Sequence, residues 1–117
     1  MKILFIITAS IAVKKCNEIL EELKSSEVYV DCIISDNAKK IFNLKNLRKN
    51  IRGKIFFNNS EKNNKMLHID LTRKTDLIVV CPATANIIAK FANGLADDLA
   101  STSLIASNKQ IIFIPAM

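Results

Sequence analysis

Glycine and proline are scarce in this chain of 117 residues, two of each, and tryptophan is absent. With glycine only at positions 53 and 94, the chain has neither a Gly-x-Gly-x-x-Gly fingerprint nor a Walker phosphate loop. No run reaches the roughly 18 apolar residues that a membrane span requires, so no membrane association is expected. The opening run from Met1 to Ala12 is superficially like a short secretory leader. However, its positive region is the single Lys2 and a Lys14-Lys15 pair follows directly, so it reads as a buried strand. Cysteine occurs three times, at 16, 32 and 81, an odd number at wide spacing within apolar patterns. Such cysteines fit reduced core thiols of a cytoplasmic protein better than disulfides or a metal site, and no metal site is expected.

Apolar residues make up 50% of the chain, enough for one core and therefore one domain. Lys and Arg number 17 against 11 Asp and Glu, a net charge of +6. The excess sits in a Lys- and Asn-rich stretch, 39–65, which carries no nucleic-acid motif. It reads as a solvated basic surface, with no nucleic-acid partner.

Residues 2–7 form a continuous β-branched and apolar run, the pattern of a strand covered on both faces. Over 11–23, apolar residues recur every three and four positions, which predicts a helix with one apolar face. A second buried strand is expected at 28–34, then a cap at Ser35-Asp36-Asn37 and a short helix at 38–42. Residues 44–65 read as loop with one short strand around Ile55-Phe56-Phe57. A third strand is expected at 76–81, stopped by Pro82. A helix over 84–93 follows, with Ile87, Ile88 and Phe91 on one face and Gly94 as C-cap. A helix at 97–106 and a strand at 110–114 complete the pattern. Alternating buried strands and helices predict an α/β fold, a three-layer Rossmann-like or flavodoxin-like parallel sheet that binds its ligand at the carboxyl ends of the strands.

Three strand ends carry small or polar turns: Thr8-Ala9-Ser10, Ser35-Asp36-Asn37, and Pro82-Ala83-Thr84-Ala85-Asn86. Hydroxyls and free N–H groups at helix starts, with Ser10 and Ser35 foremost, are suited to holding a phosphate; equally, Ser10, Ser35 and Thr84 suit plain helix caps. His68, the one histidine, lies ahead of the 76–81 strand, and an imidazole can exchange protons near neutral pH. Asp97-Asp98 read as helix cap and charge, since adjacent helical residues face different directions.

The stretch from Pro82 to Leu99, PATANIIAKFANGLADDL, resembles the flavin-site segment of phosphopantothenoylcysteine decarboxylases, in the homo-oligomeric flavin-containing cysteine decarboxylase family. It is joined in order by Ile7-Thr8-Ala9-Ser10-Ile11-Ala12, Ser35-Asp36-Asn37-Ala38-Lys39-Lys40, His68-Ile69-Asp70-Leu71 and Pro115-Ala116-Met117. The resemblance implies a domain over 1–117 that binds FMN at a subunit interface of a trimer-based homo-oligomer. It implies decarboxylation of 4'-phospho-N-pantothenoylcysteine to 4'-phosphopantetheine in coenzyme A biosynthesis. The substrate thiol is oxidised to a thioaldehyde with FMN as acceptor, carbon dioxide leaves, and the electrons return. By position, His68 matches the active-site histidine. Ala9, Ser10 and Ile11 match the first flavin loop, Ser35, Asp36 and Asn37 the second, and Thr84, Ala85, Asn86 and Ile87 the third; Ala116 matches a contact after the last strand.

The sequence departs from the family's pattern where Ala9 replaces a usual glycine and Ile87 a usual Thr or Ser. It also reaches Met117 before the family's substrate-carboxylate Asn, its flap cysteine and the synthetase domain of bifunctional members. The domain is therefore expected to be C-terminally truncated, completed by a separately encoded C-terminal part, and to expose apolar surface beside residues 110–114. The alternatives are a non-catalytic FMN-binding remnant or subunit and a flavin prenyltransferase-like protein.

Overall fold

The computed structural model describes residues 1–9, 13–58 and 67–115, with residues 13 and 14 described by backbone alone. Five strands, β1 (Lys2–Ile7), β2 (Tyr29–Ile34), β3 (Ile55–Phe56), β4 (Leu77–Ala83) and β5 (Gln110–Pro115), form one sheet in the order β3-β2-β1-β4-β5. Every pairing is parallel. Among the described residues, six helices connect them: α1 (Val13–Ser25), α2 (Asp36–Ile41), α3 (Leu44–Lys49), α4 (Leu67–Arg73), α5 (Ala85–Ala92) and α6 (Leu99–Ala106). The expected three-layer α/β parallel sheet is the one observed.

β1 is central, with Phe5 in register between Cys32 of β2 and Val79 of β4. Its alternate side chains feed two cores. Ile3, Phe5 and Ile7 join Cys16 and Leu20 of α1, Ala38 of α2 and Leu47 of α3 on one face. Leu4 and Ile6 join Leu71 of α4, Ile87 of α5 and Leu104 of α6 on the other. The unbroken apolar run of β1 is explained by this two-sided burial, at ~1.5–3 kcal/mol for each fully buried Leu, Ile or Phe.

Helix α3 corrects the loop expected over 44–65. Asn43 caps it by accepting from the Lys45 and Asn46 N–H groups at 3.0 and 3.3 Å, and Leu47 anchors it in the core. A six-residue helix is too short to display a full apolar stripe, so its periodicity is invisible among Lys and Asn. The short strand at Ile55–Phe56 is present; the remainder of that stretch, 59–65, lies outside the described residues.

Pro82 does not stop the third long strand: β4 runs through a cis Cys81-Pro82 bond to Ala83. The register with β5 shifts between Val80 and Ala83, where proline has no N–H for the ladder. On α5, Ile87 alone of the expected apolar face is buried; Ile88 and Phe91 are exposed. Phe91 meets the edge strand instead, its ring 5.5 Å from that of Phe113. β5 is a sheet edge with Ile112 exposed, so the apolar surface expected beside 110–114 is present.

Gly53 is required by close approach. Its N–H donates to the Val30 carbonyl at 2.9 Å, and a Cβ there would collide with that carbonyl and with Asp31 Oδ1. Asp31 is itself buried, accepts from the Lys54 N–H at 2.8 Å, and lies 3.5 Å from Lys2 Nζ.

Candidate functional site

In sequence order β1 is followed on one side by β2 and β3, after which the chain crosses to β4 on the other side. The strand order therefore reverses between β1 and β4, and a parallel sheet opens a crevice at the carboxyl ends flanking such a point. A cavity of about 350 Å³ lies there. Small-molecule sites span ~300–1,000 Å³.

Each strand end contributes a turn whose geometry its sequence sets. After β1, Thr8 and Ala9 line the cavity, and the buried Thr8 hydroxyl donates to the Pro82 carbonyl, tying the first turn to the third. After β2, Ser35 caps α2, its hydroxyl oxygen accepting from the Ala38 N–H at 3.2 Å, and Asp36 and Asn37 follow into the lining. After β4, Thr84 caps α5 by accepting from the Ile87 N–H at 3.4 Å, and Asn86 and Ile87 line the wall.

The cap and phosphate-holder readings of Ser35 and Thr84 thus coincide: both residues cap a helix while facing the cavity. Ile87 contributes no polar side chain, because its apolar one is buried in the core below. Ala85 opens α5 but is not among the described lining residues, and neither is the half-buried His68, which lies in the first turn of α4, ahead of β4. Ser10, Ile11 and Ala116 lie outside the described residues.

The structure adds Asn58, Lys90, Asp98 and Ala100 to the wall. Lys90 stands one helical turn beyond Asn86, and its ammonium lies 3.0 Å from Asp97 Oδ1 and 3.7 Å from Asp98 Oδ2. The hydrogen bond to Asp97 raises the Lys90 pKa against an opposing effect of burial, and the same bond lowers that of Asp97. Both groups are charged at neutral pH. Asp98 caps α6, accepting from the Ser101 N–H at 2.8 Å while the Ser101 hydroxyl accepts from the Asp98 N–H at 3.1 Å. Asn58 reaches the same helix start, accepting from the Leu99 N–H at 3.3 Å. Lys90 and Asp98 stood within the recognised flavin-site segment, whereas Asn58, in a stretch without periodicity, carried no local signal.

The wall is therefore mixed: hydroxyls and amides at three turns, apolar surface at Ile87 and Ala100, and one lysine held by two aspartates. The sequence model of the family described as Flavoprotein matches residues 1–117. The chain belongs to the flavoprotein family. This flavoprotein is 32% identical to the coenzyme A biosynthesis bifunctional protein CoaBC of Bacillus subtilis (strain 168), over 98% of its own length and 29% of the relative's. It thus spans under a third of that relative. Among solved structures it superposes on the peptidyl-cysteine decarboxylase EpiD with a TM-score of 0.81 at 34% identity, covering 99% of this chain and 69% of that one. The FMN binding protein AtHal3 matches with a TM-score of 0.86 at 25% identity, covering 99% and 65%. The family resemblance read from the sequence is borne out. Among the described residues, no helix of this flavoprotein is long and apolar enough to cross a membrane.

Proposed function

We propose that this flavoprotein is the FMN-binding part of a cytoplasmic cysteine decarboxylase acting on 4'-phospho-N-pantothenoylcysteine in coenzyme A biosynthesis. The observation that carries the reading is the convergence of Ser35, Thr84 and Asn86, from two strand ends, on one cavity at the β1/β4 switch point. The donor set suits FMN. The turn hydroxyls and amides match a phosphate and the polar edge of a flavin, and Ile87 and Ala100 match its apolar rings. Bound FMN would supply a two-electron acceptor and donor.

The chain's own residues do the remaining work. Ser35, Asp36 and Asn37 hold one end of the cofactor, joined by Ala9, Ser10 and Ile11 of the first turn. Thr84, Ala85, Asn86 and Ile87 position the other, and Ala116 is assigned to the same site. The Thr8 bond to Pro82 fixes the spacing between the first and third turns. Lys90, neutralised by Asp97 and Asp98, stiffens the wall rather than binding an anion. His68 exchanges a proton with the substrate's cysteine end. Its position outside the cavity lining of one chain favours a homo-oligomer whose site is completed across an interface.

The test is the absorbance spectrum of the purified chain after addition of FMN, followed by carbon dioxide release from phosphopantothenoylcysteine. The reading expects a bound-flavin spectrum, and carbon dioxide release when the chain is assayed together with a C-terminal part of the domain, a release that His68→Asn abolishes without loss of flavin. A chain that takes up no FMN overturns it. Flavin retention without carbon dioxide release reassigns the chain as a non-catalytic flavin carrier.

A further inference from the structure

Beneath the crevice, two cysteines 65 positions apart meet with their sulfurs 3.0 Å apart: Cys16 on α1 and Cys81 two residues before the end of β4. Both are buried in the core against which Ala9, a crevice residue, also packs, and Cys81 directly precedes the Pro82-Ala83-Thr84 turn. The flavin reading gives this pair no role. We propose that Cys16 and Cys81 form a modification site, a buried dithiol that peroxide converts into an intrachain disulfide, stapling α1 to β4 under the ligand crevice.

The sulfur separation is within about 1 Å of the bond. The sulfurs approach from two different elements and must close by about 1 Å to reach the ~2.05 Å of a disulfide. The hydrogen bond between the two thiols lowers the pKa of Cys81 and, aided by burial, raises that of Cys16. Cys81 is therefore taken as the attacking sulfur.

The Cys81 thiolate attacks one oxygen of hydrogen peroxide, the O–O bond breaks, and hydroxide leaves to be protonated to water, giving a sulfenic acid at Cys81. The Cys16 sulfur then displaces that hydroxyl as a second water while its own proton is lost, forming the S–S bond. In sum, two thiols and one peroxide give one disulfide and two waters. Hydrogen peroxide is of nearly the size of water, which suits a site closed to larger oxidants. Cys32, fully buried on β2 with its pKa raised by desolvation and then by Asp31, serves as an internal control.

The experiment treats the full native chain with hydrogen peroxide, alkylates it under denaturing conditions and maps its peptides by mass spectrometry. The expected product is two hydrogens lighter, with the Cys16 and Cys81 peptides joined, Cys32 alkylated, and all three thiols recovered after dithiothreitol. The bridge persists in Cys32→Ala, and the bridged chain unfolds at a higher urea midpoint than the reduced one. Alkylation of all three thiols as before treatment, a bridge that includes Cys32, or a lower urea midpoint for the bridged chain overturns the proposal. Because the readout is covalent and needs no flavin, it stands or fails separately from the decarboxylase reading.

Discussion

Thr8 and Pro82, 74 residues apart in sequence, are joined by a hydrogen bond from the threonine hydroxyl to the proline carbonyl, and through it the ends of β1 and β4 are fixed at the spacing that the crevice requires. Thr8→Val keeps the shape and deletes the donor to the Pro82 carbonyl, at a cost of ~1–3 kcal/mol. Urea denaturation should show that loss, and flavin titration a weaker affinity. Unchanged values in both would show that the bond fixes neither turn.

Gly53→Ala forces a Cβ into the Val30 carbonyl and the Asp31 carboxylate. Backbone cannot yield there without breaking the Gly53 to Val30 hydrogen bond beside β3. We expect a loss of ~1–3 kcal/mol in equilibrium unfolding, the usual range for overpacking. Because the site is on the far side of β2 from the switch point, flavin affinity of the folded fraction should not change.

Asp98→Ala removes the cap of α6 and half of its reciprocal bond with Ser101. A lost N-cap costs ~1 kcal/mol, read as a lower urea midpoint. Lys90 retains Asp97 as a partner in this variant, so the crevice wall should stay in place.

The Lys90 and Asp97 pair sets a pH dependence whose sign follows from the two shifts. Asp97 is held below its ordinary 3.8, chiefly by the hydrogen bond from Lys90, so its contribution is complete above that value and is lost as pH falls through the lowered folded value. Lys90 is held above its ordinary 10.5, so its contribution is complete below that value and is lost as pH rises through the folded one. The stability difference between the wild type and Asp97→Asn should therefore be constant between these limits and shrink beyond each. Chemical denaturation across pH measures it, and added salt should reduce it, since the carboxylate is exposed.

Asn86 lines the crevice and is exposed on α5. Asn86→Ala should leave the unfolding midpoint within about 0.5 kcal/mol of wild type. Flavin binding should weaken by about tenfold, the equivalent of one hydrogen bond near 1.4 kcal/mol. Unaltered flavin affinity would remove Asn86 from the site.

The sequence by itself determined the parts of this protein that depend on local pattern. The buried strands at Lys2–Ile7 and Tyr29–Ile34, the caps at Ser35 and Thr84, and Gly94 with its positive φ just past α5 follow from apolar runs and from side chains that satisfy nearby N–H groups. The family was legible for a related reason: the third turn and α5 form one continuous segment. Tertiary structure alone decided the rest, because those features depend on residues distant in the chain. Helix α3 exists because Leu47 finds a place in the core, and β4 passes Pro82 because β5 tolerates a register shift there. Asn58 joins the crevice only by meeting the start of α6, and Cys16 meets Cys81 only because α1 packs on β4. Periodicity reports which face of an element is apolar; which partner covers that face is settled by the fold, where contacts across tens of residues set the free energy.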